Sequence, residues 1–322
     1  MSEFEILRDS FGRPLVVPLG GGPRVPYRRT TTFVGALDDE GGLHRWELRQ
    51  LAVRLAHRPD LVLAVAAIDS EQALASGRGR RANPAREALD EIIEKAAEPA
   101  SAGATVGTAL HALTERLDRG QQLGNVPAPY AADVQAYTKT TKQITWTAIE
   151  TFRVLDEWRV AGTADRIGLY RGQSTVADIK TGSIDYPGKF GMQLAVYAHS
   201  LPYDIATDTR GAAGTELDLR RGLIIHLPAG QGRCDLYEVD IEKGWQAAKL
   251  AYWVWQWRSV KGLLTPVAAG FTDLARTAPD IDTLRQLWRE AKRVNKLTQG
   301  FLDAVGKRRE ELAANTTKED KE

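Results

Sequence analysis

Two carboxylates and a lysine carry the densest chemistry in this sequence. Asp165 stands in Gly162-Thr163-Ala164-Asp165-Arg166-Ile167, and Asp178 stands in Val176-Ala177-Asp178-Ile179-Lys180-Thr181-Gly182. Side chains alternate along an extended strand, so Asp178 and Lys180 share one face while Ile179 points to the other. If the two segments pair as antiparallel neighbours, Asp165 comes to lie beside Asp178. Two clustered carboxylates repel unless a cation bridges them. Hard oxygen donors suit Mg2+ or Mn2+, and a lysine beside such an ion is placed to serve an attacking water or to neutralise phosphate charge. The competing reading of Asp178 and Lys180 is an ordinary surface ion pair worth about 0–1 kcal/mol. Apolar Ala177 and Ile179 on either side favour a central strand instead.

Helical stripes flank this pair. Upstream, Gly107, His111 and Glu115 recur at i, i+4 and i+8, which offers an imidazole as a further metal ligand. Downstream, Lys189, Gln193 and Tyr197 repeat the spacing and line up an amine, an amide and a phenol beside apolar Leu194 and Val196. A helix that only packs has little use for three polar groups in one line.

The elements that must position these groups are readable around them. Residues 147–155, 158–170 and 174–181 are rich in Val, Ile, Thr and aromatics and read as three consecutive strands with tight connections. A helix over 187–200 follows, then strands at 221–227 and 234–241, a Trp-rich helix to about residue 261 and one long helix over 281–312. Before the strands, 27–34 reads as extended, 43–74 as two helices broken near Arg58-Pro59, and 85–97, 105–119 and a stretch ending near 142 as helices. The order is mixed α/β, with helices available for both faces of one sheet.

Taken in order, G-x-x-x-H, then a Glu with G-T-x-D-R-I, then D-I-K-T-G, then Q-L-x-x-Y-A resembles the RecB-like branch of the PD-(D/E)XK nuclease superfamily, which includes phage recombination exonucleases and CRISPR adaptation nucleases. The likeness covers about residues 105–199, with sheet and helix continuation to about 261. It implies a restriction-endonuclease-like core, a central mixed sheet flanked by helices, with a helical N-terminal region and long C-terminal helices. The corresponding layout is a mostly helical extension over 1–100, the nuclease core over 101–261, a helical segment over 262–312 and a tail over 313–322.

Carried over by position, the resemblance implies that Asp165, Asp178, the Ile179 carbonyl and His111 bind Mg2+ or Mn2+. It also implies that Lys180 serves the catalytic water and that Gln193 and Tyr197 orient the lysine side of the site or the DNA backbone. Glu150 and Glu115 would support. The expected activity is metal-dependent hydrolysis of DNA phosphodiesters, as an exonuclease processing ends in phage-type recombination or repair, with a single-strand annealing protein as a partner and a homo-oligomer as a possible form. A structure-specific or nicking endonuclease using the same site, or a non-catalytic DNA-binding subunit that keeps the fold, are the alternatives. Some relatives carry a four-cysteine iron–sulfur cluster. This chain, with Cys234 as its one cysteine, cannot. No Walker A loop is present, so no fused helicase motor is expected.

Composition sets outer limits. Lys plus Arg number 43 against 42 Asp plus Glu, a net charge of +1, which excludes a polybasic DNA coat and an acidic disordered tail. The longest apolar run, Leu61 to Ile68, is too short to span a bilayer, and the first residues lack the pattern of a signal peptide, so a cytoplasmic, non-membrane protein is expected. Arg78, Arg80, Arg81 and Arg86 form the densest basic cluster of the first half, readable as a solvated loop or as a clamp on DNA phosphates. Lys189 has the same two readings. Arg166 should pair structurally on the face opposite Asp165, and the tryptophans of the helix near 245–257 should be mostly core, although Trp253 and Trp255 cannot both point inward.

Overall fold

The computed structural model describes residues 5–38, 40–74, 83–211, 216–261, 263 and 270–319. It divides into two compact units, residues 1–259 and 260–322. In the first, β1 (Leu15–Val16), β2 (Val25–Pro26) and β3 (Arg28–Arg29) precede the helices α1 (Thr30–Val34), α2 (Glu40–Ala56), α3 (Pro59–Ala66), α4 (Ser70–Leu74), α5 (Pro84–Asp118) and α6 (Ala128–Thr141). Then come β4 (Thr145–Leu155), β5 (Val160–Tyr170), β6 (Gln173–Lys180), α7 (Pro187–Ala198), β7 (Leu201–Asp204), β8 (Thr209–Arg210), β9 (Arg221–His226), β10 (Asp235–Asp240) and α8 (Ile241–Arg258). The sheet is mixed, in the order β10-β9-β6-β5-β4-β7-β8, with β3 pairing β5 as its eighth strand.

Hydrophobic alternation explains how the sheet is covered. Val176 of β6 and Ile224 of β9 pack with Leu194, Ala195 and Tyr197 of α7. On the other face Ala177, Ile179, Leu223 and Ile225 meet Tyr137 of α6 and Leu117 of α5. Each strand of the β6/β9 pair is therefore buried on both sides, as parallel neighbours usually are. The tryptophan-rich α8 closes the first layer through a ladder of rings: His199 on Trp245 at 3.8 Å, Trp245 on Trp158 at 4.4 Å, and Trp158 on Tyr252 at 5.0 Å. Trp255 donates to the Phe33 carbonyl at 3.0 Å, whereas Trp253 and Trp257 are 66% and 63% exposed, so the inward side of α8 is settled by Trp245, Tyr252 and Trp255.

One edge of β5 is shared by two segments. β3 runs parallel to its first residues, Arg28 opposite Val160 and Arg29 opposite Ala161. β6 pairs antiparallel with its far end, from Arg166 opposite Ala177 to Tyr170 opposite Gln173. Between them the edge at Gly162, Thr163, Ala164 and Asp165 has no ladder partner among the described residues, because β6 there turns its pairing to β9. The β4/β5 ladder also skips the Glu150–Asp165 position, and Glu150 has a φ of 51° in the left-handed region.

Several elements depart from the sequence expectation. The segment 27–34 is not extended throughout: after the two residues of β3 the chain turns helical, with Phe33 and Val34 buried against α7 and α8. The two expected helices at 85–97 and 105–119 are one 35-residue helix, capped by the Asn83 side chain on the Arg86 amide and continuous through Pro99. Ala96, Ala97, Ala100 and Ala102 around the proline are strong helix formers, which offsets part of the cost of its missing hydrogen bond. The N-terminal region is helical from α2 to α4, but its first residues join the sheet unit through β1 to β3 and the buried Val16 and Tyr27. The long helix of 281–312 is two, α10 (Ile281–Arg293) and α11 (Gln299–Glu319), preceded by α9 (Phe271–Thr277). Asn295, at φ 54°, breaks them in the left-handed conformation that asparagine tolerates. Within this second unit Leu284, Ala291, Phe301 and Ala304 form the core. Among the described residues no helix is long and apolar enough to cross a membrane.

A buried arginine anchors α7. Arg153 of β4, 2% exposed, donates through Nε to the Tyr197 carbonyl at 3.0 Å and also to the Ser200 carbonyl, and burial alone holds its pKa down to about 10. Its charge faces the negative end of the helix dipole. Arg153→Met should cost about 1–3 kcal/mol, read as a lower midpoint in urea unfolding. An unchanged midpoint would mean the anchor contributes nothing.

Candidate functional site

The unpaired stretch of β5 and the C-terminal end of β6 open into a cavity of about 530 Å³, and seven of the residues expected from the sequence line it: His111, Asp165, Asp178, Ile179, Lys180, Gln193 and Tyr197. They reach it from four elements: His111 from α5, Asp165 from β5, Asp178, Ile179 and Lys180 from β6, and Gln193 and Tyr197 from α7. Where β5 and β6 stop pairing, the Ile179 amide loses its strand partner and donates instead to Asp165 Oδ2 at 2.9 Å. The carboxylate takes the place of a ladder carbonyl, which fixes its position through backbone geometry. α5 brings His111 to this point, with Nδ1 3.6 Å from Asp165 Oδ2 and the ring beside the Ile179 backbone. Close approach at Gly107 permits it, since a Cβ there would stand 2.7 Å from Thr181 Oγ1.

On the other side, α7 holds Asp178 and Lys180 in one network. Gln193 Nε2 donates to Asp178 Oδ1 at 3.0 Å, and Gln193 Oε1 accepts from Lys180 Nζ at 3.5 Å. Lys180 Nζ lies 2.7 Å from Asp178 Oδ2 as an ion pair without hydrogen-bond alignment, so that buried oxygen has an ionic partner only. The Phe190 ring sits 4.8 Å from the ammonium and limits its swing. Tyr197 places its hydroxyl by Gly162 and Thr30, at a point where a glycine Cβ would meet Thr30 Oγ1 at 2.7 Å and the Tyr197 hydroxyl at 3.0 Å. Gly162 is thus required by crowding.

Electrostatics follow from burial. Asp178, 3% exposed, is pushed up to about 6 by burial and then by the neighbouring Asp165, against the pull of Lys180. Burial also raises Asp165 and lowers His111, which favours a neutral imidazole. Glu150 is pushed up to about 7 by burial and by Asp165. Among the described residues no three His, Cys, Asp or Glu side chains converge into a group that could hold a metal ion by themselves. The donor set nevertheless fits a hard divalent ion in kind: two carboxylates raised above their ordinary range, a backbone carbonyl and a neutral imidazole around one cavity, where added positive charge would relieve the repulsion.

A stability measurement follows from these shifts. A carboxyl whose folded pKa lies above its unfolded value favours the fold below the unfolded pKa and loses that contribution as pH rises through the folded one. With Asp178 near 6 and Glu150 near 7, the melting temperature in EDTA should fall as pH climbs from about 4 to 7. Mg2+ should raise it more at neutral than at acidic pH, and Asp178→Asn should flatten both responses. A melting temperature indifferent to Mg2+ at neutral pH would argue against the donor set.

The remaining expected residues that the structure describes are not among those lining the cavity. Glu150 pairs with Arg166 at 3.2 Å, and Glu115 pairs with Arg119 at 2.9 Å. Lys189, on the first turn of α7, forms an ion pair with Asp38. Arg86 reaches back to the Ala73 carbonyl at 3.4 Å, linking α5 to α4. Arg78, Arg80 and Arg81 lie outside the described residues. Arg166 is fully buried and structural, as its place in the strand implied. Its partner, Asp118 at 2.6 Å, sits at the end of α5 and was not anticipated, since nothing in the local pattern around Asp118 marks it as buried. The Arg28-Arg29 pair reads in the sequence, like the Arg78–Arg86 cluster, as solvated or as a clamp on phosphates, and Arg29 lines the same cavity; sequence reasoning missed Arg8, Thr30 and Thr31, which line it from the N-terminal segment. Only long-range pairing of β3 with β5 brings them there, and no spacing rule reports that.

No family model matches the chain, and no curated protein sequence matches it. The geometry stands on its own.

Proposed function

We propose that this protein is a Mg2+-dependent DNA nuclease, acting as an exonuclease on DNA ends. The observation that carries the reading is the single cavity in which Asp165, Asp178, Lys180 and Gln193 are held by one another and by the strand backbone. A purely structural ion pair would have no need of a glutamine spanning both partners, nor of a carboxylate inserted where a sheet has parted.

Asp165, Asp178 and the Ile179 carbonyl would hold the divalent ion, with His111 beside Asp165. When bound, that ion supplies Lewis-acid polarisation of a phosphoryl oxygen and promotes deprotonation of water. The chain's own groups do the rest. Gln193 keeps the Lys180 ammonium at the open side of Asp178, where it orients the attacking water and offsets charge gathering on the phosphate. Tyr197, whose hydroxyl is held protonated by burial, offers a neutral donor at the floor of the cavity. Arg8 and Arg29 line the same cavity and add two cationic side chains to it, suited to the phosphates of a strand lying across it.

The test is digestion of end-labelled linear duplex and of covalently closed circles with Mg2+. Release of nucleotides from linear DNA, abolished by EDTA, is expected. Rapid cutting of closed circles would replace the exonuclease with an endonuclease that uses the same site.

A further inference from the structure

A second cavity, of about 850 Å³, opens beside the first and shares with it the wall formed by Thr181, Gly182 and Ser183. Its lining differs in kind. His226, at the end of β9, faces Tyr237 of β10 with ring centroids 6.4 Å apart, and Tyr130 at the start of α6 contributes a third ring. His226 is 7% exposed and immobilised by a 3.0 Å hydrogen bond between Nε2 and the Gly182 carbonyl, so the ring is tied to the wall common to both cavities. Among the described residues its Nδ1 has no hydrogen-bond partner. Tyr237 is 44% exposed. Arg233 stands at the rim in a solvent-exposed pair with Asp235 at 3.0 Å, a kind of contact weak enough to be exchanged for a phosphate.

We propose that this groove holds unpaired nucleotides of the strand being cut, so that the substrate class is single-stranded DNA or a strand separated from its complement at the site. The inference rests on the nuclease reading of the adjoining cavity and deepens it. Three considerations point the same way. The shared Thr181–Ser183 segment sets the two cavities side by side, within reach of one continuous backbone. Aromatic rings at the surface bind base faces, and a duplex keeps its base faces stacked inside, presenting only edges and phosphates. Among the described residues Arg233 is the one cation of this lining, which also holds the acid Asp185, so no broad electrostatic track is offered and stacking must contribute a large part of the binding.

The test is fluorescence anisotropy in EDTA with a labelled single strand of about 16 nucleotides and the matching duplex. The wild type should bind the single strand more tightly. Tyr237→Ala should weaken single-strand binding by about 5- to 150-fold and leave duplex binding unchanged, while Tyr237→Phe keeps wild-type affinity. Since Tyr237 is half-exposed, its truncation spares the core, and an unchanged melting temperature verifies this. Equal binding of the single strand by wild type and Tyr237→Ala, or an equal loss for single strand and duplex, overturns the proposal. Binding in EDTA does not depend on cleavage, so the two readings separate. A wild type that cleaves with Mg2+ while Tyr237→Ala binds normally removes the groove alone. A wild type that binds as described but never cleaves removes the nuclease reading alone.

Discussion

Lys180→Ala should lower the rate of DNA hydrolysis by at least about a hundredfold at neutral pH, and two separable causes contribute. The first is direct: under the proposed nuclease reading, the ammonium that offsets charge on the phosphate is gone. The second acts through Asp178. Lys180 is the cation that holds the Asp178 carboxyl down against burial and Asp165, so its removal raises that pKa further and leaves Asp178 more protonated at neutral pH. A protonated Asp178 is a poor ligand for a divalent ion. The acid limb of the pH–rate profile should therefore move to higher pH in Lys180→Ala, with part of the lost activity returning in mildly alkaline buffer. Asp178→Asn should lose at least as much activity with no such return, because an amide does not ionise. Undiminished hydrolysis by either variant would remove the proposed site altogether.

Gly244→Ala should be the most damaging small substitution outside the cavity. Gly244 of α8 crosses α7 at Gly191, and a Cβ on Gly244 would fall 2.2 Å from the Gly191 carbonyl oxygen and 2.6 Å from its carbon. Those are backbone atoms in a helix and cannot rotate aside. The helices must separate, at a cost of about 1–3 kcal/mol for overpacking, or roughly 3–10 °C in melting temperature for a unit of this size. Gln193 lies two residues beyond the crossing, so its bridge between Asp178 and Lys180 should loosen and turnover should fall with stability. Gly191→Ala is the control. A Cβ there meets its nearest neighbours at 3.8 Å, an ordinary contact, and alanine is the better helix former. It should be neutral or slightly stabilising, and equal damage from both substitutions would show that close helix approach is not the reason for Gly244.

The cavity residues were legible because each belongs to a short local pattern: Asp178 and Lys180 through strand alternation, His111 and Gln193 through helical spacing. β4, β5, β6, β9 and β10 were legible because long runs of β-branched and aromatic residues have one good solution in a buried sheet. What stayed hidden is non-local or very short. β3, β7 and β8 have two to four residues and no periodicity to detect. Arg153 looks like a solvated strand arginine until the Tyr197 and Ser200 carbonyls arrive from α7. Asp118 reads as a helix-end acid until the fold lays it on Arg166. The divided C-terminal helix was missed because α10 and α11 both keep helical spacing, and the stop between them depends on the left-handed backbone of one residue, Asn295.

The two strands on the edge of β5 differ in what it takes to put them there. β6 follows β5 through the Arg171-Gly172 turn, so its half of the frame forms with little loss of chain entropy. β3 must return to β5 from roughly 130 residues upstream, the kind of long-range closure that slows folding and comes late. The acid and lysine half of the cavity thus comes from segments adjacent in sequence, whereas the half that carries Arg29 and Thr30 depends on the long closure. A chain whose beginning is still unfolded has Asp165, Asp178 and Lys180 on paired strands but lacks that wall. The cavity is complete only when the beginning of the chain has come back to its middle.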